Sequence, residues 1–181
     1  AKGTLMSKVD IASYIRDVRD FPKPGIVFKD ITPLLCSHAA LDETVSLLLS
    51  PFANEKIDLV CGIESRGFIF GSLIANRLGV GFVPIRKAGK LPAETLEESY
   101  ELEYGRATIE IHTDAVKPGQ RVLMVDDLLA TGGTMAAACR LVERLGGEVV
   151  GCPFVIELTF IPGRKALAKY RVHSLLKVTG E

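Results

Sequence analysis

The chain predicts an α/β fold, with a mostly parallel central sheet and helices on both faces. Two observations predict it. Short, continuous apolar runs read as strands buried on both faces, and segments with apolar residues at helical spacing separate one run from the next.

Leu41, Val45, Leu48, Leu49 and Phe52 share helical spacing, and the apolar block Ile57–Ile63, bounded by Asp58 and Gly62, follows as a buried strand. The pattern then recurs. Gly67–Leu78 reads as a helix, Phe82–Ile85 and Arg121–Val125 as strands, and Met135, Ala138, Cys139, Val142 and Leu145 as one helical stripe. Val149–Ile156 and Val172–Val178 are the last predicted strands. Two stretches break the alternation: Phe21–Pro33, with three prolines and a glycine, and the polar, charged Lys87–Ala107. The second exceeds the usual connection inside a compact domain, and loops of that length are commonly lids or binding loops.

The 181 residues, 48% hydrophobic and 24% charged, suit one domain spanning 1–181. Lys plus Arg (22) balances Asp plus Glu (22), so no global field draws the chain to nucleic acid or to a membrane surface, and any bound anion must be held locally. Cys36, Cys61, Cys139 and Cys152 form no zinc or redox spacing, and His38, His112 and His173 are scattered, so none is assigned chemistry. No apolar run approaches the roughly 20 residues that span a bilayer, and no signal pattern opens the chain, so a cytoplasmic location is expected. Residues 1–5, ahead of Met6, read as an expression remnant or a loose tail.

The most informative segment is Val122–Thr134, V-L-M-V-D-D-L-L-A-T-G-G-T, an apolar strand that is expected to end in two acids and run into a glycine-rich turn opening a helix. Paired aspartates gain little from packing and repel each other, whereas they suit polyols and hydrated cations. Ala130, Thr131, Gly132, Gly133 and Thr134 offer successive backbone N–H groups at a helix N-terminus, a cradle for phosphate. A solvated strand-to-helix turn is the plain alternative. Neither G-x-x-x-x-G-K-[ST] nor a strand-linked G-x-G-x-x-G occurs.

These residues resemble the phosphoribosyl diphosphate motif of the type I phosphoribosyltransferases. That resemblance implies that Asp126 and Asp127 hold the ribose hydroxyls, partly through Mg2+, and that the turn holds the 5-phosphate. Four more blocks narrow it: F-P-K-P-G-I-V-F-K-D-I-T-P (Phe21–Pro33), E-S-R-G-F (Glu64–Phe68), R-K-A-G-K-L-P (Arg86–Pro92) and Y-E-L-E-Y-G (Tyr100–Gly105). Together, and in order from about Ser7 onward, the five are similar to the adenine-using branch of that family. Lys29 departs from its pattern, where arginine is usual; backbone use of this position would make the change harmless.

The resemblance implies transfer of a phosphoribosyl group to adenine, giving AMP and diphosphate in purine salvage, by a homodimer with a small hood (residues 7–35) and a long flexible loop (residues 87–107). Ser65, Arg66, Arg86, Lys87 and Lys90 would meet the diphosphate, with Arg86 and Lys87 reaching a neighbouring subunit's site. An extended backbone at Val27, Phe28 and Lys29 can read a donor amine beside an acceptor nitrogen, with Phe28 and Leu128 flanking the ring. Asp126, Asp127 and Arg66 would serve the reaction, Glu103 would accept a proton from the base, and Tyr104 would cover the diphosphate. Each has an ordinary alternative: a core Phe or Leu, a solvated basic stretch, an exposed loop Glu. The competing functions are transfer to hypoxanthine, guanine, xanthine or orotate, and a regulator that senses the diphosphate.

Overall fold

The computed structural model describes residues 9–180. The expectation for residues 1–5, and the first two positions of the hood, lie outside them.

A short 3-10 turn (Ile11–Tyr14) leads into a two-stranded antiparallel sheet, β1 (Arg16–Arg19) with β2 (Val27–Asp30), pairing Val18 with Phe28 and Asp17 with Lys29. Helix α1 (Thr32–Cys36) follows, and Ser37 then caps α2 (His38–Leu49) by accepting from Ala40 N at 3.3 Å. Phe52 closes the predicted helical stripe from a separate 3-10 turn, Ser50–Phe52.

The remaining strands form one sheet: β3 (Leu59–Ile63), β4 (Gly81–Lys87), β5 (Thr95–Glu101), β6 (Arg106–His112), β7 (Arg121–Leu129), β8 (Glu148–Leu158) and β9 (Val172–Val178). Their order is β5-β6-β4-β3-β7-β8-β9. The five strands from β4 to β9 run parallel, and β6 and β5 extend the β4 edge antiparallel. Helices α3 (Gly67–Leu78) and α4 (Gly133–Arg144) connect the sheet, and α5 (Gly163–Ala166) is a single turn after β8.

Side chains of β7 alternate between two buried clusters, as a strand covered on both faces requires. Val122 and Met124 join the cluster under α4 with Ala138, Leu141 and Val142; Leu123 and Val125 join the one under α2 and α3 with Leu48, Phe70 and Ile74. The predicted mostly parallel sheet is therefore present, with boundary corrections. Asp58 meets Arg121 N with its side chain at 2.9 Å, so β3 begins at Leu59 rather than Ile57. Strand β7 does not end at the acids: the long β8 pairs Asp126 with Phe154 and Leu128 with Ile156, carrying the ladder to Leu129.

The larger correction concerns residues 87–107. Nearly half of that stretch is strand, with β5 paired to β6 from Thr95–His112 to Glu101–Arg106. Its polarity misled because one face of β5 is exposed while Leu96, Glu98 and Tyr100 turn towards the molecule at period two.

Candidate active site

Strand β3 connects onward to β4 on one side, and β7 onward to β8 on the other, so the strand order reverses between β3 and β7. Ligands of open α/β sheets bind in the crevice beyond the carboxyl ends of such strands. The segments leaving β3 and β7, Glu64–Arg66 and Ala130–Thr134, stand at that crevice.

One cleft of about 360 Å³ there is lined by Ile63, Glu64, Ser65, Arg66, Lys87, Asp126, Asp127, Leu128 and Thr134. Six of the expected site residues outside the turn thus meet around one space: Ser65, Arg66, Lys87, Asp126, Asp127 and Leu128. Helix α3 comes close to the acids because its first residue has no side chain. A Cβ on Gly67 would stand 2.9 Å from Val125 O and 3.0 Å from Asp126 Oδ1.

Arg66 Nε donates to Asp127 Oδ2 at 2.5 Å, and Asp127 N donates to Asp126 Oδ1 at 2.8 Å. Burial of the Asp126 carboxyl, with Asp127 beside it, pushes its pKa well above the ordinary carboxylate value. Among the described residues no cluster of three or more His, Cys, Asp or Glu could hold a metal. Magnesium needs near-octahedral oxygen, so two carboxylates fit only an ion that takes its other oxygens from water and substrate.

The turn before α4 is fixed by close backbone approach. Gly132, at φ +79°, occupies the left-handed region, and a Cβ there would stand 2.5 Å from Gly163 O. Gly163 in turn abuts Ala130 O, so α5 forms a floor under the turn. Arg164 secures that floor: its Nε and Nη2 donate to the two oxygens of the buried Glu157 at 2.7 and 2.8 Å. Sequence reasoning missed Glu157, Arg164 and Gly163, whose role depends on packing between distant segments.

The other expected cations sit differently. Arg86 is held by Glu64 of the cleft's lining, with Nη2–Oε1 at 2.9 Å and Nε–Oε2 at 3.2 Å, and Glu64 also accepts from Lys87 N at 3.2 Å. The Lys90 backbone N–H, with that of Leu91, donates to the buried Glu110 carboxylate at 3.0 and 2.7 Å. Neither Arg86 nor Lys90 lines the cleft.

On the hood, β2 has a strand partner on one edge only among the described residues, so its other edge keeps alternate N–H and C=O groups free of ladder bonds there, as backbone reading of a base requires. Phe28 packs edge-on against Phe21 with centroids 5.2 Å apart, and the Arg66 guanidinium carbon lies 5.6 Å from its ring centroid. The Lys29 ammonium donates to Asp17 Oδ1 at 2.7 Å. Val27 and Lys29 line a second cleft, of about 690 Å³, together with Glu103 from the β5–β6 connection. Tyr104, 88% exposed, lines neither cleft.

Residues 37–171 match the family model described as phosphoribosyl transferase domain. The chain is 58% identical over 168 residues to the adenine phosphoribosyltransferase of Thermobifida fusca, covering 93% of this chain and 96% of that one. The crystal structure of adenine phosphoribosyltransferase from Rhodothermus marinus superimposes with a TM-score of 0.89 at 57% identity, over 93% of this chain and 96% of that chain. The Saccharomyces cerevisiae enzyme, crystallised with adenine and an imino-altritol bisphosphate, gives 0.87 at 42% identity over 92% and 96%. Fold, site and similarity agree, and the chain belongs to the phosphoribosyltransferase family, among its adenine phosphoribosyltransferases.

Proposed function

We propose that this chain transfers the 5-phosphoribosyl group from phosphoribosyl diphosphate to adenine, giving AMP and diphosphate, as a step of purine salvage. The observation that carries this reading is the position of Arg66, bonded to Asp127 of the acidic pair and beside the ring of Phe28. A sugar held at the acids and a base held at the hood then face each other across one side chain.

The residues divide the work by chemistry. Backbone N–H groups of Ala130–Thr134 hold the 5-phosphate, and Asp126 and Asp127 accept from the ribose hydroxyls. Ser65, Arg66 and Lys87 meet the diphosphate, Arg86 and Lys90 reach it by leaving their present partners, and in a homodimer the stretch around Arg86 and Lys87 reaches a neighbouring subunit's site. Magnesium, when bound, offsets the negative charge of the diphosphate.

Positive charge develops on the sugar as diphosphate leaves, so prepositioned acids and cations lower the barrier on both sides of the breaking bond. Val27 and Lys29 read adenine through their backbone, between Phe28 and Leu128. Glu103, sharing a cleft with that strand, accepts the proton that adenine loses. The 102–105 tip then moves to cover the diphosphate with Tyr104, excluding water from the sugar cation. Among the described residues no helix is long and apolar enough to cross a membrane.

Turnover measured spectroscopically with phosphoribosyl diphosphate, magnesium and each of adenine, hypoxanthine, guanine and orotate tests the reading. Adenine alone is expected to react at an appreciable rate; a faster reaction with any of the other three overturns it.

A further inference from the structure

Strand β5 lies along helix α4, whose first turn belongs to the phosphate cradle, and carries Glu103 just beyond its end. Polar contacts make the docking. Glu98 accepts from Arg140 Nε at 2.8 Å and from Arg144 Nη1 at 2.9 Å, and Arg144 also donates to Glu97 O at 2.7 Å. Tyr100, on the same face of the strand as Glu98, lays its ring against Gly133, where an added Cβ would stand 3.2 Å from Tyr100 Cδ2. Its phenol oxygen accepts from the Thr134 hydroxyl at 2.8 Å. Thr134 lines the cleft that holds the acidic pair.

We infer that Tyr100 is a positioning residue that couples occupation of the phosphate turn to the seating of Glu103, an inference that rests on the site being one for phosphoribosyl diphosphate. The Thr134 hydroxyl has one proton to donate, and in the ligand-free chain it goes to Tyr100. A phosphate dianion in the turn is the stronger acceptor, because a charged partner roughly doubles the strength of a hydrogen bond. Thr134 then turns its proton to the phosphate, and its oxygen accepts from the Tyr100 O–H. Two hydroxyls rotate, and no proton leaves either oxygen.

The resulting line of donors, phenol to threonine to phosphate, points one way, so each bond polarises and strengthens the next. Phosphate binding thereby tightens the hold on Tyr100. Glu103, three residues further along, is fixed more firmly over the cleft that it shares with Val27 and Lys29. The ring of Tyr100 also packs on the cluster under α4, and a phenylalanine retains that packing while removing the hydroxyl.

Calorimetric titration of wild type and Tyr100→Phe with ribose 5-phosphate, and with phosphoribosyl diphosphate plus magnesium, reads the coupling, and chymotryptic cleavage at the 102–105 tip reads its transmission. Tyr100→Phe is expected to bind both ligands about 2- to 3-fold more weakly, because the phenol–threonine bond exists with and without ligand and only its strengthening by the bound phosphate is lost. The KM for adenine stays within about twofold, since the phenol does not touch the hood. Ribose 5-phosphate slows tip cleavage in wild type and in Thr134→Ser, which retains the hydroxyl, but not in Tyr100→Phe. In a Thr134→Val background, Tyr100→Phe adds no further loss. Wild-type affinity or full protection in Tyr100→Phe overturns the inference alone; a wild-type protein that binds neither ligand overturns the reading beneath it as well.

Discussion

Arg66 and Asp127 are joined at 2.5 Å, so the cation expected to meet diphosphate is already neutralising one acid of the pair proposed to hold ribose. Asp126 has no such partner and carries a raised pKa, chiefly from burial and then from Asp127. A carboxyl whose folded pKa exceeds its unfolded value favours folding while protonated, and that contribution is lost as pH rises through the folded pKa. Asparagine stands in for the protonated form and keeps an acceptor for Asp127 N. Asp126→Asn is therefore expected to lose activity at least about 100-fold. The same variant should melt about 2–4 °C higher than wild type at pH 7, a gap that closes as pH falls towards 4. Calorimetry across that range checks it, and a lower melting temperature at pH 7 counts against the assigned strain.

Glu157, 4% exposed, shows the opposite sign. Hydrogen bonds from Arg164 and then Ser174 hold its carboxyl below the usual range against the cost of burial. Its stabilising effect is present above the ordinary glutamate pKa and is lost as pH falls through the lowered one. Arg164→Met, which leaves a buried carboxylate without its cation, should cost about 2–3 kcal/mol at pH 7, below the full value for breaking a buried pair because Arg164 is half exposed. Urea titrations at pH 7 and pH 4 check it: the deficits of Arg164→Met and of Glu157→Gln both shrink as acid protonates the buried carboxylate. An Arg164→Met protein as stable as wild type would remove the floor from the phosphate turn.

Lys29 gives a test of how the base is read. Its ammonium is engaged by Asp17, so Lys29→Met should change the KM for adenine less than about threefold, on the expectation that only backbone groups face the ring. A tenfold rise, or a new preference among the four bases, would assign the reading to the side chain.

Much of this was legible in one sequence because the parallel strands are continuous apolar runs, and because the acids and glycines of the turn are adjacent in the chain. Asp126, Asp127 and Thr134 could be placed from residues 122–134 alone, and the structure brings Ser65, Arg66 and Lys87 to the same cleft. What stayed hidden depends on pairs far apart in sequence. Thr95–Glu101 reads as a polar loop until Arg140 and Arg144 are seen to meet Glu98 across the gap between strand and helix. Arg86 reads as a free cation until Glu64 faces it. Tyr100 lay inside a recognised motif, yet no pattern in the chain could match its phenol to Thr134.

The contact of Gly132 with Gly163 also bears on how far this cradle could be moved. With backbone against backbone there, residues 130–134 do not hold their shape by local turn chemistry alone; the segment after β8 is the other half of the mould. The smallest portable form of the proposed phosphate cradle is therefore two pieces, the turn and residues 159–166 with the Glu157–Arg164 pair that seats them. A graft of the turn alone onto another parallel sheet would carry the motif and leave its shape behind.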